Sequence, residues 1–182
     1  NLAQNFNNPF NTDLKNISFE VKEGEIFGIA GIAGNGQSEL MNLLTGENVD
    51  DVDGSITFNN TEITNFNPKK RRDLSIAFVP ENRLGHSAVP ELTLAENVWL
   101  SQFPNNGFLK NGMINYKNIE IQAKKIVDEF NAVTPGVDAK ASSLSGGNLQ
   151  KFVIGRELIS MPKILIISHP TWGIDADRKS TR

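Results

Sequence analysis

A glycine-rich loop between an apolar stretch and an amphipathic stretch is the sequence feature that most restricts the fold. Residues 25–30 have the composition of a buried strand, and residues 31–39 follow as a loop rich in glycine. Three leucines then recur at the spacing of one helical face: Leu40, Leu43 and Leu44. Gly46 suits the end of that helix. A strand, a glycine loop and a helix in this order predict an α/β fold whose loop can bind phosphate through backbone N–H groups.

The loop departs at one position from the phosphate-binding pattern G-x-x-x-x-G-K-[ST]. The pattern falls on residues 31–38, but Gln37 occupies the lysine position. Ser38 can still face a magnesium ion, whereas the cation that reaches the β- and γ-phosphates is missing. A charged hydrogen bond contributes roughly 1.5–3 kcal/mol, so we expect affinity for a triphosphate to fall about 10- to 100-fold. The predicted phosphate-loop residues are Gly31, Gly34, Asn35, Gly36, Gln37, Ser38 and Glu39.

A second helix start, within residues 142–158, carries a serine followed by two glycines. We expect Ser145 to cap the first turn, and the N–H groups of Gly146 and Gly147 to point outward as a docking face for an anion. Three apolar residues follow at the spacing of one buried helical face: Leu149, Phe152 and Val153. This stretch therefore predicts a buried helix with an anion-binding end.

Composition limits the class of protein. A chain of 182 residues, 38% apolar and 21% charged, is ordinary for one globular domain. The net charge of −3 gives no support for nucleic acid as a general partner, and without cysteine there is no disulfide or thiolate metal site. The apolar runs are all shorter than the roughly 18 residues that a membrane-spanning helix needs.

The remaining pattern alternates strands and helices. Residues 14–21 and 75–79 are predicted to form strands, and residues 54–63 a hairpin that turns at Asn59 and Asn60. We interpret the basic run at residues 69–72 as a solvated helix face rather than a nucleic-acid site. Two further helices are predicted, at residues 92–102 and 116–131, the second with one apolar face: Ile119, Ala123, Ile126, Val127 and Phe130. A continuous apolar run at residues 164–167 predicts a strand covered on both faces.

Four segments together resemble the ABC ATPases. The signature LSGGQ of that family corresponds here to Leu144, Ser145, Gly146, Gly147 and Asn148. With the glycine loop, the segment at residues 79–83 and the segment at residues 170–175, it resembles the second ATPase domain of the tandem subunits that drive ribose-type sugar and nucleoside importers. The resemblance covers residues 14–176.

The resemblance implies a P-loop NTPase (RecA-like) α/β core with a small antiparallel β piece and an inserted helical subdomain at about residues 92–158. On this basis residues 1–176 form one ABC-type ATP-binding domain, which we expect to be incomplete at its C-terminus. Residues 177–182 resemble a translated sequencing adapter, and we interpret them as a non-native tail.

The departures from the family pattern concern hydrolysis. Glu81 stands where the family has its Q-loop glutamine, and its carboxylate can still coordinate Mg²⁺ or lie as an exposed loop acid. Ser168 and His169 stand where the family has a magnesium aspartate and a catalytic glutamate; His169 is either a replacement base or a polar interface residue. Asp175 matches the D-loop aspartate. The adenine-stacking aromatic is either Phe6 or Phe10.

The resemblance implies an ATP-binding subunit domain of an importer, at the cytoplasmic face of the membrane, with ATP and Mg²⁺ as cofactors. Its signature would complete a partner's ATP site, while its own site would bind ATP with little hydrolysis. Expected partners are a preceding ATPase domain of the same polypeptide or a second ATPase subunit, transmembrane permease subunits and, indirectly, a substrate-binding protein. The alternatives are a regulatory nucleotide-binding module and a soluble ABC protein without a transport role.

Overall fold

The protein has a mixed α/β structure that divides into two compact units. A computed structural model describes residues 2–6, 10–102 and 107–170. The division falls between Ile76 and Ala77, and the two units are described in turn.

A small antiparallel sheet and one helix form the core of the first unit. Strand β1 (Leu2–Gln4) lies between β2 (Leu14–Ile17) and β3 (Val52–Asp53) and is antiparallel to both. Helix α1 (Gln37–Thr45) follows the glycine loop and ends at Gly46, which has a left-handed conformation with φ of 83°. Four buried leucines join the sheet and the helix: Leu2, Leu14, Leu40 and Leu43. The predicted helix and its buried face are therefore confirmed.

A hairpin and a short helix complete the first unit. Strands β4 (Thr57–Phe58) and β5 (Thr61–Glu62) pair antiparallel around Asn59 and Asn60, whose φ angles of 47° and 63° suit a tight hairpin turn. This confirms the predicted turn. Helix α2 (Pro68–Asp73) begins with proline in its first turn, and the side chain of Asn67 accepts from the N–H of Lys70.

The predicted strand at residues 25–30 is wrong. This segment has no strand, and Ile26 is 99% exposed. An apolar run becomes a buried strand only where neighbouring strands supply hydrogen bonds, and no described strand pairs with residues 25–30. The strand predicted at residues 14–21 is also too long, because β2 ends at Ile17. Beyond that point Phe19 is exposed and stacks on Phe27, with ring centroids 5.0 Å apart.

The basic run of α2 is not wholly a solvated face. Lys69 and Lys70 are exposed as expected, but Arg71 is fully buried. Its guanidinium donates to four carbonyl oxygens, those of Leu44, Ile63, Thr64 and Phe66, at 2.7–3.1 Å. Burial lowers the pKa of Arg71 to about 10. The prediction is therefore wrong for Arg71, because carbonyl oxygens of two neighbouring segments, the end of α1 and residues 63–66, provide the hydrogen bonds that a buried guanidinium needs.

The second unit pairs two strands beside three helices. Strand β6 (Ile76–Val79) neighbours the strand at Ile164–Ile167. Between them in sequence lie helix α3 (Leu94–Gln102), the hairpin strands β7 (Leu109–Lys110) and β8 (Met113–Ile114), helix α4 (Tyr116–Glu129) and helix α5 (Gly146–Leu158). The strand at Ile164–Ile167 is called β9. The predicted helices and the strands at Ile76–Val79 and Ile164–Ile167 are thus present.

One apolar core joins the elements of the second unit. Its buried members include residues from β6 and all three helices: Val79, Leu94, Val98, Ile119, Ala123, Ile126, Leu149, Phe152 and Val153. Val127 and Phe130 of the predicted α4 face pack against this core from its edge. The residues of β9 are only half-buried, so the prediction of a strand covered on both faces is not met.

Helix α3 begins with a reciprocal cap. The N–H and hydroxyl of Thr93 donate to Glu96 Oε2 at 2.8 and 2.9 Å, and the N–H of Glu96 donates to Thr93 Oγ1 at 3.1 Å. This is the capping-box arrangement. The bonds from Thr93 hold the pKa of Glu96 below its ordinary value of 4.5.

Candidate functional site

Two left-handed glycines shape the phosphate loop. Gly34 has φ of 87° and Gly36 has φ of 97°, a region that residues with a side chain rarely adopt. A Cβ atom at Gly36 would also lie 3.1 Å from Leu14 Cδ2. The loop therefore packs tightly on β2 just before α1 begins at Gln37.

The amide of Gln37 spans the phosphate loop. Its Nε2 donates to the carbonyl of Ile32 at 2.9 Å, and its Oε1 accepts from the N–H of Asn35 at 3.2 Å. The same Nε2 lies against Gly31, where an added Cβ would collide with it. One loop N–H group is therefore already paired with a side chain of the loop itself.

The other predicted loop residues lie at the start of α1. Ser38 is exposed in the first turn, and Glu39 Oε1 accepts from the N–H of Thr12 at 3.1 Å. The hydroxyl of Thr12 also donates to the carbonyl of Gly34 at 3.0 Å. Sequence reasoning missed Thr12, because a threonine distant in sequence carries no local signal and only the fold brings it to the loop.

The signature residues lie at the start of α5. A short 3₁₀ turn at Ala141–Ser143 precedes Leu144, which is half-buried, while Ser145 and Gly146 are exposed and Gly147 is half-buried. Ser145 occupies the N-cap position, but its side chain makes no capping hydrogen bond. The expected serine cap is therefore wrong, because the Ser145 hydroxyl is engaged by a different side chain.

That side chain belongs to Asn148. Its Nδ2 donates to Ser145 Oγ at 3.0 Å, and its Oδ1 accepts from the N–H of Val133 at 3.0 Å. Asn148 thus links the serine to the segment that follows α4. The Ser145 side chain itself does not cap the first N–H groups of α5.

A cation lies beside the signature. A Cβ atom at Gly146 would lie 2.5 Å from Arg83 Nη1, so the guanidinium covers one side of this glycine. Arg83 follows β6 by four residues and is half-buried. Sequence reasoning recorded this arginine only as part of the resembling segment and did not predict its contact with the signature.

The predicted hydrolysis positions of the second unit come together at the ends of β6 and β9. His169 Nδ1 lies 3.1 Å from Ser168 Oγ and 3.5 Å from Glu81 Oε2. The N–H of Ser168 donates to the carbonyl of Val79 at 2.9 Å, which fixes the two strand ends side by side. Glu81 is thus a loop acid whose side chain is 38% exposed and contacts the histidine.

A buried arginine of α5, paired with its neighbour Glu157, links this helix to the segment after Glu81. Arg156 and Glu157 are 4% and 3% exposed, and Arg156 Nη2 lies 3.0 Å from Glu157 Oε1. The same Nη2 donates to the carbonyl of Ser87 at 2.8 Å, and Gln102 Nε2 donates to the carbonyl of Arg156 at 2.6 Å. The signature helix is therefore bonded to α3 and to the loop between β6 and α3.

The two candidates for adenine stacking differ in exposure. Phe6 packs against the leucine core of the first unit, whereas the Phe10 ring is 91% exposed.

Asp175 and the predicted tail at residues 177–182 lie outside the described residues. Within the described ranges there is no cluster of three potential metal-ligating side chains. Nor does that part of the chain contain a helix long and apolar enough to cross a membrane.

The sequence matches the ABC transporter family profile over residues 14–172. The chain belongs to the ABC transporter family. It is 43% identical over 162 residues to the nucleoside import ATP-binding protein NupA of Lactococcus lactis and 37% identical to the guanosine import ATP-binding protein NupO of Bacillus subtilis. These alignments cover 89% of the chain. The ribose import ATP-binding protein RbsA of Lactococcus lactis is 33% identical over 92% of the chain. The chain spans about a third of the length of these relatives, 32–33%.

Solved ABC cassettes share the fold. The dimeric post-hydrolysis structure of the ATP-binding cassette MJ0796 bound to ADP and Pi is 25% identical, with a TM-score of 0.76 over 97% of this chain and 75% of that one. The cassette MJ1267 is 28% identical, with a TM-score of 0.73 over 96% of this chain and 69% of that one. The protein is thus an ABC ATPase domain with the P-loop NTPase fold.

Proposed function

We propose that this chain is the second ATP-binding domain of a tandem importer ATPase, which completes a partner's ATP site with its signature while its own site holds ATP with little hydrolysis. One contrast carries the proposal. The start of α5 is exposed, whereas the Gln37 side chain bonds to the backbone of its own phosphate loop at Ile32 and Asn35.

The signature side keeps the groups that an anion needs. Ser145 and Gly146 are exposed, the Ser145 side chain does not cap the helix start, and the Arg83 guanidinium lies next to Gly146. A helix N-terminus and a cation both favour a negatively charged group. These features support a role in binding the γ-phosphate of a nucleotide held by a partner domain.

Compared with the family pattern, the phosphate loop lacks the positive charge of the lysine, and one of its N–H donors is no longer open to a ligand. Lysine is replaced by the neutral Gln37, and the N–H of Asn35 is paired with it. A phosphate must displace the Gln37 amide before it can use that N–H group. The glycine loop and the start of α1 still fit a phosphate, so we propose weak ATP binding rather than none.

The hydrolysis positions also support low turnover. Ser168 and His169 provide no carboxylate, and the described carboxylate that contacts His169 belongs to Glu81. Bound Mg²⁺ would neutralise charge on the β- and γ-phosphates, and the Ser38 hydroxyl would be its ligand in this half-site. A neutral hydroxyl is a weak ligand for this hard cation, so metal binding would be weak.

The names of the relatives support the proposed partners. Proteins named for nucleoside and sugar import support a preceding ATPase domain in the same polypeptide, transmembrane permease subunits and a substrate-binding protein. The protein would act at the cytoplasmic face of the membrane and use ATP to import a nucleoside or a sugar.

The test compares two substitutions in the full-length protein assembled with its permease. Gly146→Asp places a negative charge where the partner's γ-phosphate approaches, and should reduce ATP turnover at least about 100-fold. Gln37→Ala changes only this chain's own half-site, and should leave turnover within about threefold of the unmodified protein, because charge stabilisation there is already lacking. Normal turnover in the Gly146 variant, or loss in the Gln37 variant alone, would contradict the proposal.

A further inference from the structure

The two hydrogen bonds of Asn148 determine how its amide is oriented. The N–H of Val133 can only donate, so the atom that it contacts is the carbonyl oxygen Oδ1. The amino group Nδ2 therefore faces Ser145 Oγ, and at this contact the serine oxygen is the acceptor.

This orientation determines what Ser145 can offer to a ligand. A hydroxyl has one hydrogen to donate, and at Ser145 it is not used on Asn148, which supplies its own hydrogens. The side chain also makes no bond to the N–H groups of its helix. Since Ser145 is exposed, both its O–H and the first N–H groups of α5 can donate to an anion.

We infer that Asn148 is a positioning residue for the signature serine, and that it acts on a partner's phosphate only through Ser145. This inference rests on the proposed function. Without Asn148, the hydroxyl oxygen is free to accept from the N–H groups of its own helix, as an ordinary N-cap serine does. The serine and the helix N–H groups would then satisfy each other rather than the phosphate.

A purely structural role for Asn148 predicts a different result. The bond to Val133 also ties α5 to the segment after α4, so loss of Asn148 could loosen the fold independently of the serine. The two roles differ in how substitutions of Asn148 and Ser145 combine, because a residue that acts only through another adds nothing once that other is removed.

The experiment is a double-mutant cycle on ATP turnover of the full-length, permease-bound protein. We expect Ser145→Ala to lower kcat/KM about 10- to 100-fold, from the loss of one hydrogen bond to a charged group. Asn148→Ala should lower it about 5- to 10-fold, since the hydroxyl is misdirected but present. The Ser145→Ala and Asn148→Ala double variant should match Ser145→Ala alone within about twofold.

Asn148→Asp provides a second arm that keeps the side-chain shape. Aspartate still accepts from Val133, but it presents an oxygen to Ser145 and so turns the serine hydrogen inward. Turnover should fall at least as much as in Asn148→Ala. If the added charge lowered turnover by itself, Asn148→Asp would reduce kcat/KM further in the Ser145→Ala background. We expect that further reduction to be less than about twofold.

The outcomes separate this inference from the proposed function. If Ser145→Ala leaves turnover unchanged, the trans role of the signature is wrong, and the inference is overturned with it. If Ser145→Ala reduces turnover but the Asn148 effect multiplies with it, or is absent, only the positioning role is overturned. Circular dichroism confirms that each variant is folded.

Discussion

Arg71 Nη1 donates to the carbonyl of Leu44 at 2.7 Å, which connects a buried guanidinium of α2 to the last turn of the helix that follows the phosphate loop. The other donors of Arg71 reach Phe66, Ile63 and Thr64. One side chain therefore holds α1, the segment after the hairpin and α2 together.

Loss of that side chain should destabilise the first unit. Arg71→Met leaves four carbonyl oxygens without this donor, two of them in buried bonds, and should lower the free energy of unfolding by about 3 kcal/mol or more. Lys69→Met is the matched control on the same helix. Its exposed ion pair with Asp73 predicts a change within about 0.5 kcal/mol. Urea unfolding measures both, and equal effects would contradict the anchoring role.

Restoring lysine at position 37 should strengthen ATP binding. Gln37→Lys adds a charged donor and frees the N–H of Asn35, so we expect affinity to rise at least about 10-fold. Gln37→Met removes the bonds to Ile32 and Asn35 without adding charge, and separates the two effects. Isothermal titration of the chain with ATP measures each. Unchanged affinity in the lysine variant would show that this loop does not bind the triphosphate.

The chain alone should hydrolyse ATP very slowly, and His169→Ala should not change that rate. The expected low rate follows from the missing lysine and from Ser168 and His169, which supply no carboxylate at the two hydrolysis positions. We interpret His169 as the polar contact of Glu81 at 3.5 Å and Ser168 at 3.1 Å. Phosphate release with Mg²⁺ present measures the rate. Robust turnover that disappears in His169→Ala would instead identify the histidine as a replacement base.

We predict that Phe10, and not Phe6, stacks on adenine. Phe10→Ala removes an exposed ring and should weaken ATP binding about 3- to 10-fold, with binding of inorganic triphosphate unchanged. Phe6→Ala removes a ring that packs on the leucine core, and should lower stability by about 1–3 kcal/mol. The reverse pattern, with selective loss of ATP binding in the Phe6 variant, would refute the assignment.

The cap of α3 should make the stability of the second unit pH-dependent. The bonds from Thr93 lower the pKa of Glu96 in the folded state. This stabilisation is therefore present above the ordinary value of 4.5 and is lost as pH falls through the lowered folded pKa. Glu96→Gln should reduce the loss of stability on acidification, whereas Glu120→Gln, on an exposed face of α4, should not. Thermal unfolding from pH 7 to pH 3 tests this.

The sequence predicted what depends on local periodicity. The helices after the glycine loop and after the signature, with their buried leucine and phenylalanine faces, follow from spacing alone. The strand predicted at residues 25–30 was wrong because a strand is buried only where neighbouring strands pair with it, and composition does not reveal those neighbours. The prediction for Arg71 was wrong because its acceptors lie in two segments distant from one another in sequence, and its charge alone suggested exposure.

In the candidate site, too, the sequence predicted positions but not contacts. The positions of Gln37, Glu81, Ser145 and His169 could be read from motifs, but their hydrogen bonds could not. Gln37 bridging Ile32 and Asn35, Asn148 occupying the serine oxygen and Arg83 covering Gly146 all depend on side-chain direction. Spacing in a sequence does not specify that direction.

The buried Arg156 gives the signature helix little freedom to move by itself. The Arg156 guanidinium donates to the carbonyl of Ser87, and the carbonyl of Arg156 accepts from Gln102 of α3. A shift of α5 must therefore strain the loop after Glu81 and the end of α3 together. A displacement of α5 at Ser145 is therefore expected to reach α3 and the loop after Glu81.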